Sequence, residues 1–213
     1  MPVRVSESVI LRTYPFREAD LIVSFFTRDL GKLRGVARRA SKPGSRFGSG
    51  LERLSYVRVH YYWRENRDLA SLDSCELIRS RFGLASDYAT SVALDFFSEV
   101  SEHLLPAAEP SEKYFRLLLA MSDHLCQAGA EGVWPAVTYF SLWAVRLGGF
   151  LPPMEMTEEE QAIAEEMIRT PIDKLTPRPW TRQTAAGLRR TLVRLIEEHV
   201  ERKLVTPAYL ETL

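Results

Sequence analysis

Cysteine and histidine are scarce in this chain of 213 residues. It has two cysteines, Cys75 and Cys126, and four histidines, none at a spacing typical of metal ligands. The two cysteines could form a disulfide, but nothing in the sequence suggests export. We find no apolar leader segment at the start of the chain and no apolar run long enough to cross a bilayer. The sequence therefore predicts a cytoplasmic protein with reduced thiols, no bound metal and no membrane contact.

The chain also lacks the short motifs of common enzyme classes. Its glycine-rich stretch, with Gly44, Gly48 and Gly50, matches neither G-x-G-x-x-G nor G-x-x-x-x-G-K-S/T, and it lies in no strand–helix–strand unit. No G-x-S-x-G elbow, paired carboxylates or H-E-x-x-H motif is present. We therefore expect no enzymatic activity and no cofactor, although an active site assembled only in space would leave no such motif.

The formal net charge is zero, but the charge is divided unevenly along the chain. Residues 1–82 contain 16 Lys and Arg against 9 Asp and Glu, a net +7, so the rest of the chain carries −7. Such a division between two halves is a hint that one of them binds a polyanion.

Much of the positive charge lies in one stretch, residues 32–50. It holds Lys32, Arg34, Arg38, Arg39, Lys42 and Arg46 and no acidic residue. Its second half is too rich in Gly, Ser and Pro to predict a regular element. Two interpretations are open: a mobile loop that neutralises a chain of phosphates, or a solvated loop whose charges favour solubility.

The first half of the chain has the pattern of short strands. Apolar alternation and β-branched or aromatic residues predict strands over 3–13, 21–27, 32–37, 54–63 and 69–77, with a turn over 64–67. Five short strands without a long helix between them fit a Greek-key barrel of the OB type over residues 1–80. An SH3-like barrel or a half-sandwich would give the same pattern.

The predicted fourth strand places aromatic and basic side chains on one face. Tyr56, His60 and Tyr62 alternate with Val57, Val59, Tyr61 and Trp63, and they share their face with Arg58 and Arg64. OB barrels bind single strands by stacking bases on exposed rings while basic residues follow the backbone. The alternative is that these rings close the barrel ends or a seam with the second domain.

From Ser86 onward the period becomes helical. Helices are predicted over 87–105, 111–127, 134–147, 157–169 and 184–204, and Thr157–Glu160 is a capping box. The third of these is apolar on nearly every side and is expected to be central and buried. The last helix carries four arginines off its apolar stripe, namely Arg182, Arg189, Arg190 and Arg194. They could extend a track of phosphate contacts, but salt bridges and solubility explain them as well, and we favour that explanation. The tail 205–213 is apolar enough to dock on the body.

Three segments resemble the RecO family of bacterial recombination mediators. They are Gly31–Arg39 followed by Ser45–Gly48 and Leu51-Glu52, the pair Tyr61-Tyr62, and Arg146–Pro152 at the end of the central helix. The first of these has a distinctive spacing, and the similarity spans nearly the whole chain.

The resemblance implies an N-terminal OB barrel, residues 1–80, and an all-α domain, residues 81–213. It implies binding to single- and double-stranded DNA and annealing of complementary strands in recombinational repair, which would make the protein nucleoid-associated. It also implies loading of recombinase, together with RecR, onto strands coated by single-strand-binding protein, whose C-terminal tail would dock in an apolar groove beside a basic residue. The candidate DNA-binding residues are Lys32, Arg34, Arg38, Arg39, Lys42, Arg46 and Tyr62.

The sequence departs from the family pattern in two places. Many members carry a four-cysteine zinc site after the segment that corresponds to Arg146–Pro152, whereas Pro153–Thr157 and the following residues contain no cysteine. We therefore expect no zinc. Members often end in a basic Lys-Ser-Arg, and here Val205-Thr206-Pro207 stands in that place, which weakens the case for a C-terminal DNA contact.

The leading hypothesis is a DNA-binding mediator without catalytic activity. The rival from another class is an OB-containing module that uses its barrel to bind a protein and never contacts DNA. A nuclease or nucleotide-using enzyme is a third, weaker alternative.

Overall fold

The computed structural model describes residues 3–64 and 67–213, and the chain divides into two compact units. The first unit comprises Met1–Gly83 together with Ser101–Phe115. The second comprises Leu84–Val100 together with Arg116–Leu213. A short stretch from the helical half of the sequence thus belongs to the same unit as the strands.

The strands of the first unit form a closed barrel of the OB type. They are β1 (Arg4–Phe16), β2 (Asp20–Thr27), β3 (Gly31–Ala37), β4 (Tyr56–Tyr62) and β5 (Ala70–Arg79). Their order around the barrel is β1-β2-β3-β5-β4, with β3 and β5 parallel and the other pairs antiparallel. The α+β fold class with an N-terminal OB barrel is confirmed.

Apolar side chains at alternate positions of the strands fill the barrel interior. Val57, Val59 and Tyr61 of β4 are all fully buried, as the sequence predicts, and the ring of Tyr61 meets Phe25 edge-on at 5.7 Å between centroids. Side chains of opposite parity point outward because successive residues of a strand face opposite sides of the sheet. The outer face is therefore where the barrel is free to carry a binding site.

The first strand is longer than the sequence predicts. We expect it to end before Tyr14-Pro15-Phe16, but β1 continues to Phe16, with Pro15 opposite Leu21 of β2. A proline lacks only the amide donor, so it is compatible with a strand where that donor is not needed. The extension adds Tyr14 to the sheet.

The glycine-rich stretch is more regular than the sequence predicts. Residues 48–51 form a short 3₁₀ helix, and hydrogen bonds from residue i+3 back to residue i link the turns before it. Phe47 and Leu51 anchor the stretch because both side chains are buried in the barrel core. The expectation of no regular element was wrong here, since buried apolar residues within the stretch fix its path.

Residues 101–115 pack against the outer surface of the barrel. Phe115 is fully buried and lies 5.9 Å from Phe26 and 6.0 Å from Tyr56 between ring centroids. The chain also passes so close to Gly31 that a Cβ there would overlap the backbone of Glu109. This segment covers one part of the outer face and leaves the rest open.

The second unit is helical. The helices along the chain are α1 (Phe82–Ala85), α2 (Tyr88–Leu104), α3 (Glu112–Ala128), α4 (Val133–Leu147), α5 (Glu158–Arg169), α6 (Ala186–His199) and α7 (Thr206–Leu210). Two 3₁₀ turns, Gly129–Gly132 and Ile172–Lys174, join them. Helix α4 is buried along most of its length and packs against α5 and α6, which confirms its predicted central position.

The capping box predicted at the start of α5 is present. The Thr157 hydroxyl accepts a hydrogen bond from the backbone N–H of Glu160, and the Glu160 carboxylate accepts one from the backbone N–H of Thr157. The same carboxylate also accepts from the backbone N–H of Leu188 at 2.8 Å. Glu160 therefore supports the first turns of both α5 and α6.

We expect Glu160→Ala to lower the free energy of unfolding by about 1–2 kcal/mol at neutral pH, since both helix ends lose a cap. Burial alone raises the pKa of Glu160, but its hydrogen bonds from Leu188 and Thr157 outweigh burial and leave the pKa below its usual value. A carboxylate with a lowered pKa stabilises the fold above its unfolded-state pKa, and this contribution is lost as the pH falls through the folded-state pKa. Urea unfolding at neutral and acidic pH should show the difference between variant and wild type shrinking toward acid. An equal difference at every pH would contradict the assignment.

The last helix is shorter than predicted. The sequence predicts one helix over 184–204, but α6 ends at His199 and Glu201 adopts a left-handed backbone with φ +51°. A new short helix, α7, follows, and the buried Glu99 carboxylate accepts hydrogen bonds from the backbone N–H groups of Val205 and Thr206. The tail does dock, as expected, through buried Leu210.

The turn predicted over 64–67 includes Glu65 and Asn66, which lie outside the described residues. The backbone N–H of Arg67 donates to the carbonyl of Arg64 at 3.0 Å. Within the described part of the chain, no helix has both the length and the apolarity needed to span a membrane.

Candidate nucleic-acid interface

Two rows of side chains cross the outer face of strands β1, β2 and β3, and segment 101–115 covers part of the first row, since Ser24 is fully buried. In the first row Arg12 is opposite Ser24, and Ser24 is opposite Arg34. In the second row Tyr14, Ile22 and Val36 lie side by side. Their neighbours Val23 and Leu33 point into the core, so both rows point outward.

Two guanidinium groups lie against the ring of Tyr14. The guanidinium carbon of Arg12 lies 5.5 Å from the centre of the Tyr14 ring, and that of Arg34 lies 5.4 Å from it. Both arginines are exposed, and neither has a carboxylate within ion-pair distance among the described residues. Cation–π attraction fixes the positions of the two charges without neutralising them.

Arg53 adds a third positive charge to this region. Burial lowers the pKa of its guanidinium, and the nearby charge of Arg12 lowers it further. A guanidinium stays protonated at neutral pH even so. Arg53 therefore places a further positive charge near Arg12.

The second row continues around the barrel to Tyr62. Val36 is opposite Ser71 of β5, and Ser71 is opposite Tyr62 of β4. Four strand spacings separate Tyr14 from Tyr62, about 19 Å around the barrel wall. Tyr62 is 37% exposed and Tyr14 is half-buried, so a tyrosine lies at each end of the row.

The loop after β3 carries the next cations. Arg38, Arg39 and Lys42 are exposed, and none of the three has a carboxylate partner for its side chain among residues 3–64 and 67–213. The backbone N–H of Arg39 donates to Asp20 Oδ1 at 2.8 Å, and Arg39 adopts φ +56°. The turn thus holds these side chains at the end of β3, beside the two rows.

Two of the predicted site residues are engaged within the protein. Arg46 pairs with Asp73 at 3.2 Å, although both side chains remain largely exposed. The Lys32 ammonium donates to the backbone carbonyl of Glu102 at 2.5 Å. Burial lowers the pKa of Lys32, the Glu102 charge raises it and the Arg34 charge lowers it. The Lys32 ammonium therefore faces the segment 101–115 and not the exposed rows.

On the first part of strand β4, the basic side chains contact a carboxylate and the tyrosine ring is buried. Arg58 and His60 both contact the Glu76 carboxylate, at 3.1 and 3.0 Å, and their hydrogen bonds lower the pKa of Glu76. Tyr56 is only 8% exposed and its hydroxyl donates to Glu7 Oε2 at 2.6 Å. The structure does not bring these predicted ring and basic residues together with the loop cations.

Arg12 and Tyr14 were missed by the sequence reasoning. The signal was the alternation Arg12-Thr13-Tyr14, which continues the pattern of β1 beyond its predicted end. Their closeness to Arg34 depends on the registers of β1 with β2 and of β2 with β3, and an isolated sequence does not give a register.

The second unit contains a groove with a volume of about 560 Å³. Its apolar lining includes Trp134, Val137 and Leu210, and its rim includes Arg182, Arg190 and Lys203. Arg182 pairs with Glu211 at 2.6 Å and Lys203 with Glu197 at 2.5 Å, whereas no carboxylate in the described chain pairs with Arg190.

A buried arginine, Arg189, lies in the lining of the groove. Arg189 is 7% exposed, lies 4.5 Å from the ring centre of Trp134 and donates to Thr138 Oγ1 at 3.2 Å and to the Thr184 carbonyl at 2.5 Å. Burial is the main reason that the pKa of Arg189 falls to about 10, so it still carries its charge at neutral pH. The groove combines an apolar floor with net positive charge.

Potential metal ligands are dispersed in the described residues, where no three His, Cys, Asp or Glu side chains form a group that could hold a metal ion. Neither Cys75 nor Cys126 forms a disulfide within the described chain. Burial raises the pKa of Cys75 to about 12, which makes it a poor nucleophile at neutral pH.

Comparison with known proteins gives two family matches and a set of named relatives. Residues 1–81 match the family described as "Recombination protein O N terminal", and residues 85–157 match "Recombination protein O C terminal". A protein of Koribacter versatilis named "DNA repair protein RecO" is 41% identical, with 98% of each chain covered. A protein of the same name from Bifidobacterium animalis subsp. lactis is 38% identical over 66% of this chain, which spans only 62% of that relative.

Proposed function

The chain belongs to the RecO family, and from that premise we propose that it is a DNA-binding recombination mediator of DNA repair. Single- and double-stranded DNA would bind along the outer face of the barrel, where Arg12, Arg34, Arg38, Arg39 and Lys42 contact phosphates. The relatives in Koribacter versatilis and Bifidobacterium animalis subsp. lactis carry the name DNA repair protein, which supports repair as the process.

One observation carries the proposal more than any other. Five arginine and lysine side chains lie on one open face and its adjoining loop, and none of the five has a carboxylate partner among the described residues. Arg28 and Arg58 elsewhere on the barrel, and Arg46 further along the same loop, do have such partners. Arg4 and Arg17 have none among the described residues and lie against the rings of Trp63 and Phe16. Cations that a fold leaves without counter-ions on one face suit a polyanion, because each phosphate contact releases condensed counterions.

This arrangement supports annealing without bond-breaking chemistry. Two complementary strands repel each other through their phosphates, so a protein that neutralises phosphates while leaving base edges free lowers the barrier to pairing. The exposed cations are suited to hold backbones loosely, and no nucleotide hydrolysis is needed.

A stopped-flow annealing assay tests this function. Two complementary oligonucleotides labelled as a fluorescence donor and acceptor should anneal faster with the protein present, without ATP or Mg²⁺, and the acceleration should fade as salt is raised. No acceleration at low salt would contradict annealing, and cleavage of the oligonucleotides would favour an enzyme instead. Strong binding to a protein partner without DNA binding would favour the rival interaction module.

We propose further that, together with RecR, the protein loads recombinase onto strands coated by single-strand-binding protein. The groove of the second unit supports a role for the acidic, apolar C-terminal tail of that protein. An apolar end would fill the space over Trp134 and Val137, and an acidic side chain would pair with Arg190. The charged residues that line the groove have a net positive charge, although residues 83–213 as a whole carry a net charge of −7.

We expect Arg190→Glu to weaken binding of a fluorescent peptide with the sequence of that tail by about tenfold, since an attractive contact becomes repulsive. Fluorescence anisotropy measures the dissociation constant. Arg169→Glu is the matched control, because Arg169 is exposed, lies outside the groove and should leave affinity unchanged. Equal affinity of the Arg190 variant and the wild type would place the tail elsewhere.

A further inference from the structure

We propose that Arg12, Tyr14 and Arg34 form a subsite for one unpaired nucleotide, and that this subsite lets the barrel distinguish single-stranded from duplex DNA. The inference rests on the proposed DNA-binding function and extends it, since phosphate contacts alone do not separate the two forms. The base would stack on the planar groups of this cluster, and the two guanidinium groups would contact the adjacent phosphate.

The geometry suits an unpaired base. Three planar groups lie together, since both guanidinium carbons are within 5.5 Å of the Tyr14 ring centre. Protein sites for single strands stack bases on aromatic rings and on arginine planes. In a duplex, bases are stacked on one another and are not available to such a surface.

The charge at the subsite suits a phosphate next to that base. Arg12 and Arg34 both lie against the Tyr14 ring, and in the described chain no carboxylate is within ion-pair distance of either. An arginine presents several donors in a planar fork that matches phosphate oxygens. The ring and the guanidinium groups therefore present the two chemistries of a nucleotide side by side.

The surroundings give a strand a path through the subsite. Ile22 and Val36, both half-buried, continue the row from Tyr14 across β2 and β3, and the loop cations Arg38 and Arg39 follow at the end of β3. Ser24, in the row between the two arginines, is tied to Glu102 by a 2.5 Å hydrogen bond. The open path thus runs along the Tyr14 row toward the loop.

Tyr14→Ala tests the subsite in the full-length protein. We expect its affinity for a single-stranded oligothymidylate to fall about tenfold or more, while its affinity for a duplex of the same length stays within about twofold of wild type. Tyr14→Phe keeps the ring and should bind both forms like wild type. Fluorescence anisotropy measures all the affinities, and circular dichroism confirms that the variants are folded.

A crosslinking experiment tests the same contact without a substitution. An oligonucleotide with 5-iododeoxyuridine, irradiated in complex with the wild-type protein, should crosslink to the peptide that contains Tyr14, as identified by mass spectrometry. Equal affinity of Tyr14→Ala and wild type for the single strand, an equal loss for both DNA forms, or crosslinks only to other peptides would overturn the subsite. If wild type binds neither DNA form, the proposed function itself fails, and that result is distinct from all of these.

Discussion

The double variant Arg38→Glu, Arg39→Glu is expected to bind a single-stranded oligonucleotide about a hundredfold more weakly than wild type in 0.1 M salt. Each substitution removes one phosphate contact and adds a repulsive charge at an exposed position of the loop after β3. The loss should be similar for all base sequences, because the contacts involve the backbone only. Fluorescence anisotropy at a fixed salt concentration measures it.

The control for this variant is Arg169→Glu, Lys174→Glu. It makes the same change in net charge at two exposed positions of the helical unit, Arg169 at the end of α5 and Lys174 in the following 3₁₀ turn. Affinity for the oligonucleotide should fall by less than threefold. If the control loses as much affinity as the loop variant, net charge and not the position of the cations governs binding.

Phe115→Ala is expected to cause the largest loss of stability, about 3–5 kcal/mol, because it leaves a cavity in fully packed surroundings. The Phe115 ring is fully buried and meets Phe26 and Tyr56, and the guanidinium carbon of Arg28 lies 4.9 Å from its centre. Hydrogen exchange should show faster exchange of the amides in β2 and β4, and urea denaturation should show a lower midpoint.

Phe82→Ala removes the same number of atoms from a side chain that is 68% exposed, and it should change stability by no more than about 0.5 kcal/mol. If both variants lose stability equally, the packing of residues 101–115 on the barrel does not contribute to the stability of the first unit.

The strands and helices could be predicted because their signals are local. Alternation in β4, the charged capping box of α5 and the apolar circumference of α4 each require only a short window of sequence, and the structure confirms all three. The ends of elements are harder because they depend on distant partners. Helix α6 ends where the Glu197 side chain and backbone accept hydrogen bonds from Leu204 and Arg202, a contact that no helical period reveals.

The candidate site could be predicted only in part. The exposed positions of Arg34, Arg38, Arg39 and Lys42 follow from their charge and from a strand that ends at Ala37. The engagement of Lys32 with Glu102 could not be predicted, because 70 residues separate the two and the contact depends on how the segment 101–115 crosses the barrel.

The loop between β3 and β4 shows why composition alone misleads. Glycine, serine and proline do disfavour long regular elements, but Phe47 and Leu51 within the loop reach the barrel core and order it as a series of turns. An ordered loop holds its cations at fixed positions, so less conformational entropy is lost when DNA binds.

The most direct test of the central claim is the slope of the logarithm of the DNA association constant against the logarithm of salt concentration. Five cations on the barrel face and its loop predict a slope of about −3.5 for single-stranded DNA in the wild-type protein, and a slope smaller in magnitude by about 1.4 in the Arg38→Glu, Arg39→Glu variant. A slope near zero in the wild type, or one that the double substitution leaves unchanged, would contradict the claim that this face binds the phosphate backbone.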